Sequence, residues 1–138
     1  MPERTLCVIK PNAVAARRIG AIVDRFEREG LRVAALRMAR LPEDRAEAFY
    51  EEHRHRPFFG RLVEFMSSGP VCAMVLEGDR AIERCREIMG DTDPSKAAEG
   101  TLRALYGDSV TENAVHGSDG AASAEREIPF YFSEGETT

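Results

Sequence analysis

One uninterrupted apolar run, residues 71–76 (VCAMVL), constrains the fold of this chain more than any other segment. A strand that is apolar at both odd and even positions must be covered on both faces, because its side chains alternate between them. The run is far shorter than the ~20 residues that a helix needs to cross a bilayer. We therefore predict a central strand, with other elements packed on each face of its sheet.

Strand and helix patterns alternate along the rest of the chain. The predicted strands are residues 5–10, 31–40, 71–76 and 128–132, and the predicted helices fall at 19–26, 43–50, 62–66, 79–89, 101–106 and 118–127. We expect Asp79 to cap its helix, and Gly30 and Gly90 to end theirs. This order fits an α+β fold, a ferredoxin-like βαββαβ antiparallel sheet with helices packed over it. We expect residues 1–138 to form a single domain.

The charge balance excludes one class of partner and leaves another open. The net charge of −5 and the pI near 5.3 argue against non-specific binding of nucleic acid. Of the 19 basic residues only Lys10 and Lys96 are lysines. This excess of arginine is explained either by genome composition or by arginines that clamp phosphate, whose oxygens suit a planar guanidinium. Composition does not choose between the two explanations.

The cysteines and the N-terminus indicate a cytoplasmic protein. Cys7, Cys72 and Cys85 form no CxxC pair, and each is embedded among apolar neighbours. We interpret them as reduced core thiols and not as a disulfide framework or a zinc site. The first residues, MPERTLCVIK, carry charges where a signal peptide needs an apolar stretch. With no apolar run long enough to span a bilayer, we expect no membrane association.

Several common catalytic signatures are missing from the sequence. It contains no GxxxxGK[ST] phosphate loop, no GxGxxG motif, no HExxH metal motif and no GxSxG nucleophile elbow. Periodicity is weak between residues 90 and 118, where only one helical turn is predicted. Long weakly patterned segments in small domains are usually functional loops. We therefore expect functional residues in and around this segment.

His116 is the strongest local candidate for chemistry. It precedes Gly-Ser-Asp-Gly, so small neighbours leave its imidazole approachable, and the helix that follows offers backbone donors to an anion. Glu127, at the far end of that helix, could bind one ring nitrogen and leave the other free to attack, with Ser118 beside the helix start. The alternatives are an inconsequential loop histidine and an exposed helix carboxylate.

Other basic residues have both functional and ordinary interpretations. Lys10 ends the first strand, where sheet proteins often place ligand contacts. Arg86 and Arg103 flank the weak segment and could converge on phosphate from two sides, although each alone is typical of a solvated helix. His53 and His55 lie near the end of a polar helix, and we interpret them as solvent-exposed surface residues.

Five segments together resemble the nucleoside diphosphate kinase family. They are NAVHGSD (residues 113–119), TLCVIKPN (5–12), RPFF (56–59), SGPV (68–71), and GDTDP (90–94) followed by GTLR (100–103). The matches run in order from about residue 3 to residue 132, with the family's spacing. Each segment alone would be a weak signal, and their combination is specific.

The resemblance implies a Mg²⁺-dependent ping-pong exchange between nucleoside triphosphates, typically ATP, and nucleoside diphosphates, which maintains the NTP and dNTP pools. His116 would attack the γ-phosphate and become a phosphohistidine. Lys10 would contact the transferring phosphate and the sugar, and Tyr50 would lie beside the histidine. Ser118 and Glu127 would support the histidine from behind. The magnesium ion would be carried by the nucleotide phosphates, with no direct protein ligand.

The same resemblance implies a nucleotide site and a homo-oligomer, a tetramer or a hexamer. Phe58 would stack on the base, with Leu62 and Val110 closing the slot. The phosphates would be held by Arg86, Thr92 and Arg103, and the ribose hydroxyl by Asn113. Four positions depart from the commonest pattern. Asn12 replaces an aspartate, which removes a charge near Lys10, and Gly120 replaces a serine, which could loosen the helix start. Asp93 for asparagine and Tyr106 for phenylalanine are conservative.

Two other functions remain open at this point. A non-catalytic ferredoxin-like module would bind nucleotide, or RNA with strong salt dependence, without turnover. A phosphohistidine protein whose acceptor is another protein would share the first half-reaction but not the second.

Overall fold

The computed structural model describes residues 2–138 of the protein, and a four-stranded antiparallel sheet organises them. The strands are β1 (Glu3–Ile9), β2 (Arg32–Ala39), β3 (Val71–Gly78) and β4 (Val115–Gly117). Their order across the sheet is β2-β3-β1-β4, and each neighbouring pair is antiparallel. This is the ferredoxin-like α+β arrangement that the sequence predicts.

Strand β3 occupies the centre of the sheet, as its apolar run predicts. It pairs with β1 on one side and β2 on the other. Its residues alternate between two hydrophobic cores: Ala73 and Val75 lie in one, while Cys72 and Met74 lie in the other. Since both faces of the strand are buried, polar residues at either parity would be costly here.

Helices cover both faces of the sheet. They are α1 (Pro11–Ala15), α2 (Ile19–Arg28), α3 (Glu43–Phe49), α4 (Phe59–Met66), α5 (Ala81–Met89), α6 (Leu102–Tyr106) and α7 (Ala121–Glu127), with 3₁₀ turns at Glu51–His53 and Ile128–Phe130. One core receives Phe49 from α3 and Met66 from α4. The other receives Ile22 and Phe26 from α2. None of the helices within residues 2–138 is long and apolar enough to cross a membrane.

The prediction of a last strand at residues 128–132 is wrong. Those residues form the 3₁₀ turn Ile128–Phe130 and its continuation, in which Tyr131 and Phe132 both donate backbone N–H groups to the Ile128 carbonyl. Pro129 has no N–H to donate to a sheet ladder. The fourth strand is instead Val115–Gly117, inside the segment predicted to be a loop. Three residues are too few to show a period of two.

The predicted Asp79 cap of α5 is also wrong. The Glu3 carboxylate of β1 accepts the N–H of Ile82 at 2.9 Å, so the cap comes from a distant strand. Asp79 contributes its backbone carbonyl, which accepts from the Arg84 guanidinium. By contrast, Gly30 adopts a φ of 91° after α2, as expected of a helix terminator. The three cysteines are buried and unbonded, as predicted.

Candidate active site

One cavity of about 380 Å³ collects the predicted site residues where the carboxyl end of β1 meets β4. Its walls include Lys10, Tyr50, Phe58, Leu62, Arg86, Thr92, Arg103, Val110, Asn113, His116 and Glu127. Ser118, the remaining predicted residue, is buried behind the wall and bonds to Glu127. Both arginines, Arg86 and Arg103, therefore reach one site, a convergence that spacing alone does not establish.

Sheet register brings His116 and Lys10 together. His116 lies opposite Val8 in the β1–β4 ladder. Because strand side chains alternate, Val8 and Lys10 point to the same face. The Lys10 N–H donates to the Ala114 carbonyl at 2.8 Å and extends the pairing beyond β1. The reactive face of the sheet is thus fixed by backbone hydrogen bonds.

A strained turn delivers Asn113 to the cavity. Ala114 has a φ of 77°, and the Val115 N–H donates to the Asn113 carbonyl at 3.0 Å, which closes a three-residue turn. Such a conformation costs a non-glycine residue on the order of 1–3 kcal/mol and is concentrated at functional sites. The Asn113 amide donates to the Thr92 carbonyl at 2.9 Å. Its Oδ1 is buried without a partner among residues 2–138, so it can accept a ligand hydroxyl.

A carboxylate holds the imidazole of His116. Glu127 Oε1 lies 2.8 Å from His116 Nε2 and accepts the Ser118 hydroxyl, also at 2.8 Å. Burial by itself would raise the pKa of the Glu127 carboxyl, but the hydrogen bonds from His116 and Ser118 outweigh it and leave that pKa below its usual value. An ionised carboxylate only accepts, so Nε2 carries the proton and Nδ1 keeps its lone pair.

Two aromatic rings fix the plane of the imidazole. The His116 ring is 5.1 Å from the Phe49 ring and 5.9 Å from the Tyr50 ring, both in edge-to-face arrangements. The His116 side chain keeps 18% of its surface exposed. Tyr50 places its hydroxyl in the buried part of the site, where it has no partner among residues 2–138, and burial raises its pKa. The hydroxyl therefore stays protonated and can donate to a ligand.

The cations of the site are bonded to neutral groups. Lys10 is 5% exposed, and its Nζ donates to the Thr111 carbonyl at 3.4 Å. Burial, followed by repulsion from Arg103, lowers the pKa of Lys10 to about 7. The buried Arg103 donates to the Gly90 and Val115 carbonyls at 3.0 and 2.9 Å. Carbonyls carry no net charge, so both cations remain available to an anion.

Part of the cavity wall is apolar. Phe58 and Val110 keep 42% and 55% of their surfaces exposed although both are hydrophobic, and Leu62 lines the same cavity. An exposed ring beside aliphatic side chains is suited to a planar ligand. The ring of His53 is 5.5 Å from that of Phe58. We predicted His53 to be a solvent-exposed surface residue; its side chain is 37% exposed, but it also lines the cavity, about one helical turn after Tyr50.

Asp119 is a further cavity residue that the sequence did not single out. The Ser123 hydroxyl donates to its carboxylate at 2.5 Å, and this hydrogen bond is the main cause of its lowered pKa. Ser123 also accepts the N–H of Gly120 at 3.0 Å, so α7 remains capped despite the glycine. Among residues 2–138, no group of three or more His, Cys, Asp or Glu side chains is arranged to hold a metal ion.

Comparisons with known proteins agree on one family. The family model described as nucleoside diphosphate kinase matches residues 3–137. The structure of the nucleoside diphosphate kinase of Aquifex aeolicus superposes with a TM-score of 0.97 at 49% identity and covers 100% of both chains. The halophilic enzyme of Halobacterium salinarum, solved in complex with CDP, gives 0.95 at 43% identity and covers 100% of this chain and 92% of its own. The Encephalitozoon cuniculi enzyme gives 0.95 at 39% identity, covering 99% and 92%.

Proposed function

The chain belongs to the nucleoside diphosphate kinase family, and on that premise we propose that His116 carries a phosphoryl group from a nucleoside triphosphate to a nucleoside diphosphate. The observation that carries this proposal is the 2.8 Å contact between His116 Nε2 and Glu127. It occupies one ring nitrogen and leaves Nδ1 as the nucleophile. The enzyme is thus a phosphotransferase in which one histidine serves both halves of a ping-pong cycle.

In the first half-reaction the Nδ1 lone pair attacks the γ-phosphorus of the donor. The bond from that phosphorus to the β,γ-bridging oxygen breaks, and its electron pair leaves with the nucleoside diphosphate. The Nε2 proton stays on the ring, where the Glu127 carboxylate stabilises the positive charge that develops. In the second half-reaction a terminal phosphate oxygen of the acceptor attacks phosphorus, and the P–N bond breaks. Nδ1 then regains its lone pair.

Phosphoryl transfer needs positioning and charge stabilisation more than covalent assistance from the protein. We assign phosphate binding to Arg86, Arg103, Thr92 and the ammonium of Lys10. The support is that all four line the cavity, and that the bonds of the buried pair, Lys10 and Arg103, go to carbonyls. The unpartnered Tyr50 hydroxyl belongs to a ring whose centroid is 5.9 Å from that of His116, and we assign it a hydrogen bond to the same phosphate.

The nucleoside would bind at the apolar part of the cavity wall. Phe58 would stack on the base between Leu62 and Val110, and the free Oδ1 of Asn113 would accept a ribose hydroxyl. A ring face and aliphatic side chains make no base-specific hydrogen bond. This part of the site therefore accepts purines and pyrimidines alike. The binding of CDP by the Halobacterium salinarum relative supports this assignment.

We assign a Mg²⁺ requirement to the nucleotide phosphates and not to a protein cage. Mg²⁺ is commonly held by substrate phosphates together with one or two carboxylates. Asp119 lines the cavity beside His116, and its lowered pKa keeps it ionised, so it would favour a cation on the phosphates without ligating it directly. When bound, the ion would offset negative charge on the phosphate oxygens.

We further propose a single cytoplasmic domain over residues 1–138 that assembles as a homo-oligomer, a tetramer or a hexamer. The buried unbonded cysteines support a reducing compartment. Strand β2 lies at an edge of the sheet, where Leu36 and Met38 keep 52% and 51% of their surfaces exposed. Large exposed apolar side chains on a sheet edge are typical of contacts between subunits.

The half-reaction tests the mechanism. Wild-type protein and the His116→Ala variant are incubated with γ-labelled ATP and Mg²⁺, without acceptor. We expect acid-labile, alkali-stable label on the wild type alone, and its discharge by GDP to give GTP. Label that GDP does not discharge would favour a protein acceptor. Bound nucleotide without label would reduce the site to a binding module.

A further inference from the structure

Asn12 links two parts of the chain that are far apart in sequence. Its side-chain Nδ2 donates to the Asp108 carboxylate at 2.9 Å and to the Glu112 carbonyl, also at 2.9 Å. Asn12 belongs to α1, which begins directly after Lys10. Asp108 and Glu112 belong to the loop between α6 and β4. One amide group therefore ties the end of the first strand to a loop about a hundred residues later.

The Glu112 carbonyl is the point at which this loop closes. It accepts the N–H of Asp108 at 2.7 Å and that of Ser109 at 3.3 Å, in addition to the Asn12 amide. The Ser109 hydroxyl accepts the Glu112 N–H at 3.0 Å from the other side. Asn12 thus binds the loop at the atom on which its own internal hydrogen bonds converge.

The loop forms one wall of the cavity. Val110 and Thr111 lie at its tip and line the site, and Asn113 follows directly. The Thr111 carbonyl accepts a hydrogen bond from the Nζ of Lys10. In the proposed function Lys10 turns toward a bound phosphate. Once Lys10 leaves Thr111, the bridge from Asn12 still connects the loop to the first strand.

We propose that Asn12 is a positioning residue: its amide holds the 108–112 loop, and with it the Val110 side of the nucleotide slot, in the binding position. Both partners of Nδ2 are acceptors, so the residue at position 12 must donate. A carboxylate cannot donate, and it would face the Asp108 carboxylate directly. This inference rests on the proposed function for the identity of the ligand, but not for the bridge itself.

The first test adds a negative charge at position 12 and then removes the one at position 108. For Asn12→Asp we expect the KM for a nucleoside diphosphate to rise about tenfold, with kcat changed by less than about twofold, because loop placement affects binding and not transfer. In the double variant Asn12→Asp with Asp108→Asn, the pair at positions 12 and 108 exchanges donor and acceptor, while the Glu112 carbonyl loses its donor from position 12. We therefore expect a partial rescue, with a KM at least about threefold below that of Asn12→Asp.

The double variant separates the bridge from a charge effect on Lys10. Asn12→Asp puts a negative charge near that lysine in both the single and the double variant. If the new charge acted through Lys10, kcat would change and Asp108→Asn would not restore it. A KM in the double variant as high as that of Asn12→Asp, or a loss confined to kcat, would overturn the proposal.

Hydrogen exchange tests the bridge without nucleotide or turnover. The Asp108 and Ser109 amides are the ones the loop protects, and we expect their exchange to accelerate about tenfold or more in Asn12→Asp. Protection should return in part in the double variant, which regains the hydrogen bond between residues 12 and 108 but not the one to the Glu112 carbonyl. Unchanged protection in Asn12→Asp would overturn the positioning role. If the exchange results hold but the wild type forms no phosphohistidine, the proposed function fails while the bridge stands.

Discussion

The Glu127 carboxylate accepts a hydrogen bond from Nε2 of His116 at 2.8 Å, and that single contact determines which ring nitrogen faces the cavity. The two residues are brought together by β4 and by α7, which begins four residues after the end of that strand and ends at Glu127. Since Glu127 is 2% exposed, its charge is only weakly screened by solvent. The pair therefore fixes both the tautomer and the orientation of the nucleophile.

Replacing Glu127 by glutamine should slow transfer without unfolding the protein. The amide keeps the shape of the side chain but loses the charge that stabilises a positive imidazole. We expect kcat to fall about 10- to 100-fold, as is usual for groups that orient a reactive histidine. Steady-state kinetics of Glu127→Gln are compared with those of Glu125→Gln, which neutralises an exposed carboxylate of the same helix. Equal effects of the two variants would show that the contact with His116 has no special role.

Tyr50 offers a test in which stability and activity change in opposite directions. Its hydroxyl is buried without a partner among residues 2–138, so Tyr50→Phe should leave the free energy of unfolding unchanged or raise it by up to about 1 kcal/mol. We expect the transfer rate to fall about tenfold, because the hydroxyl would donate to the phosphate. Tyr131→Phe is the matched control, since its hydroxyl is equally buried and unpartnered but does not line the cavity. A rate loss in Tyr131→Phe as large as in Tyr50→Phe would contradict this role.

Nucleotide binding should take up a proton at Lys10. Burial, and then Arg103, lowers the pKa of Lys10 to about 7 in the free protein, and nearby phosphates favour the charged form and raise it. At pH 8 the free lysine is mostly neutral, so binding should take up close to one proton, whereas at pH 6 it should take up almost none. Calorimetry in buffers of different ionisation enthalpy measures this, with Lys10→Met as the control for protons bound by the nucleotide. Equal uptake by the two proteins at pH 8 would contradict the assignment.

The same lowered pKa has a consequence for stability. The unfolded lysine has a pKa of 10.5 against about 7 when folded, so between these values the unfolded state binds more protons. The contribution of Lys10 to the free energy of unfolding therefore rises with pH through this window and is least favourable below it. Denaturant titrations at pH 6 and pH 9 should show a smaller increase in Lys10→Met than in the wild type. An identical increase in the two proteins would show that the pH dependence of stability arises from another group.

Gly117 lets strand β4 pack closely against helix α5. A Cβ at this position would lie 2.8 Å from the sulfur of the buried Met89 and 3.5 Å from that of Cys85. We expect Gly117→Ala to destabilise the fold by about 1 kcal/mol, because the flexible end of Met89 must move inside a buried core. Gly120→Ala is the control, because nothing lies within 4 Å of its Cβ position and its backbone is extended. Comparable melting temperatures for the two variants would contradict this packing.

The sequence predicted the parts of the fold whose signals are local and long enough to show a period. The apolar run in β3 and the left-handed Gly30 after α2 are both of this kind. The strand that carries His116 was missed because three residues reveal no alternation and its pairing with β1 is made at long range. The Glu3 cap of α5 bridges residues 79 positions apart and leaves no local trace.

The candidate site shows the same division. His116 and Glu127 stand at the ends of a short local unit, so their contact could be inferred from the residues between them. The convergence of Arg86 and Arg103 depends on how α5 and α6 pack, and it followed only from the family resemblance. Asn12 was noted for the charge it lacks near Lys10, whereas its hydrogen bonds go to a loop that the sequence did not connect to it.

The position of the phosphoryl group on the imidazole ring is the most direct test of the account. The ¹⁵N-labelled protein is phosphorylated with ATP and Mg²⁺, and the His116 ring is assigned by long-range ¹H–¹⁵N correlation with ³¹P detection. The account predicts that phosphorus is bound to Nδ1, and that Nε2 keeps its proton and still donates a hydrogen bond to the Glu127 carboxylate. A phosphoryl group on Nε2, or on any residue other than His116, would contradict it.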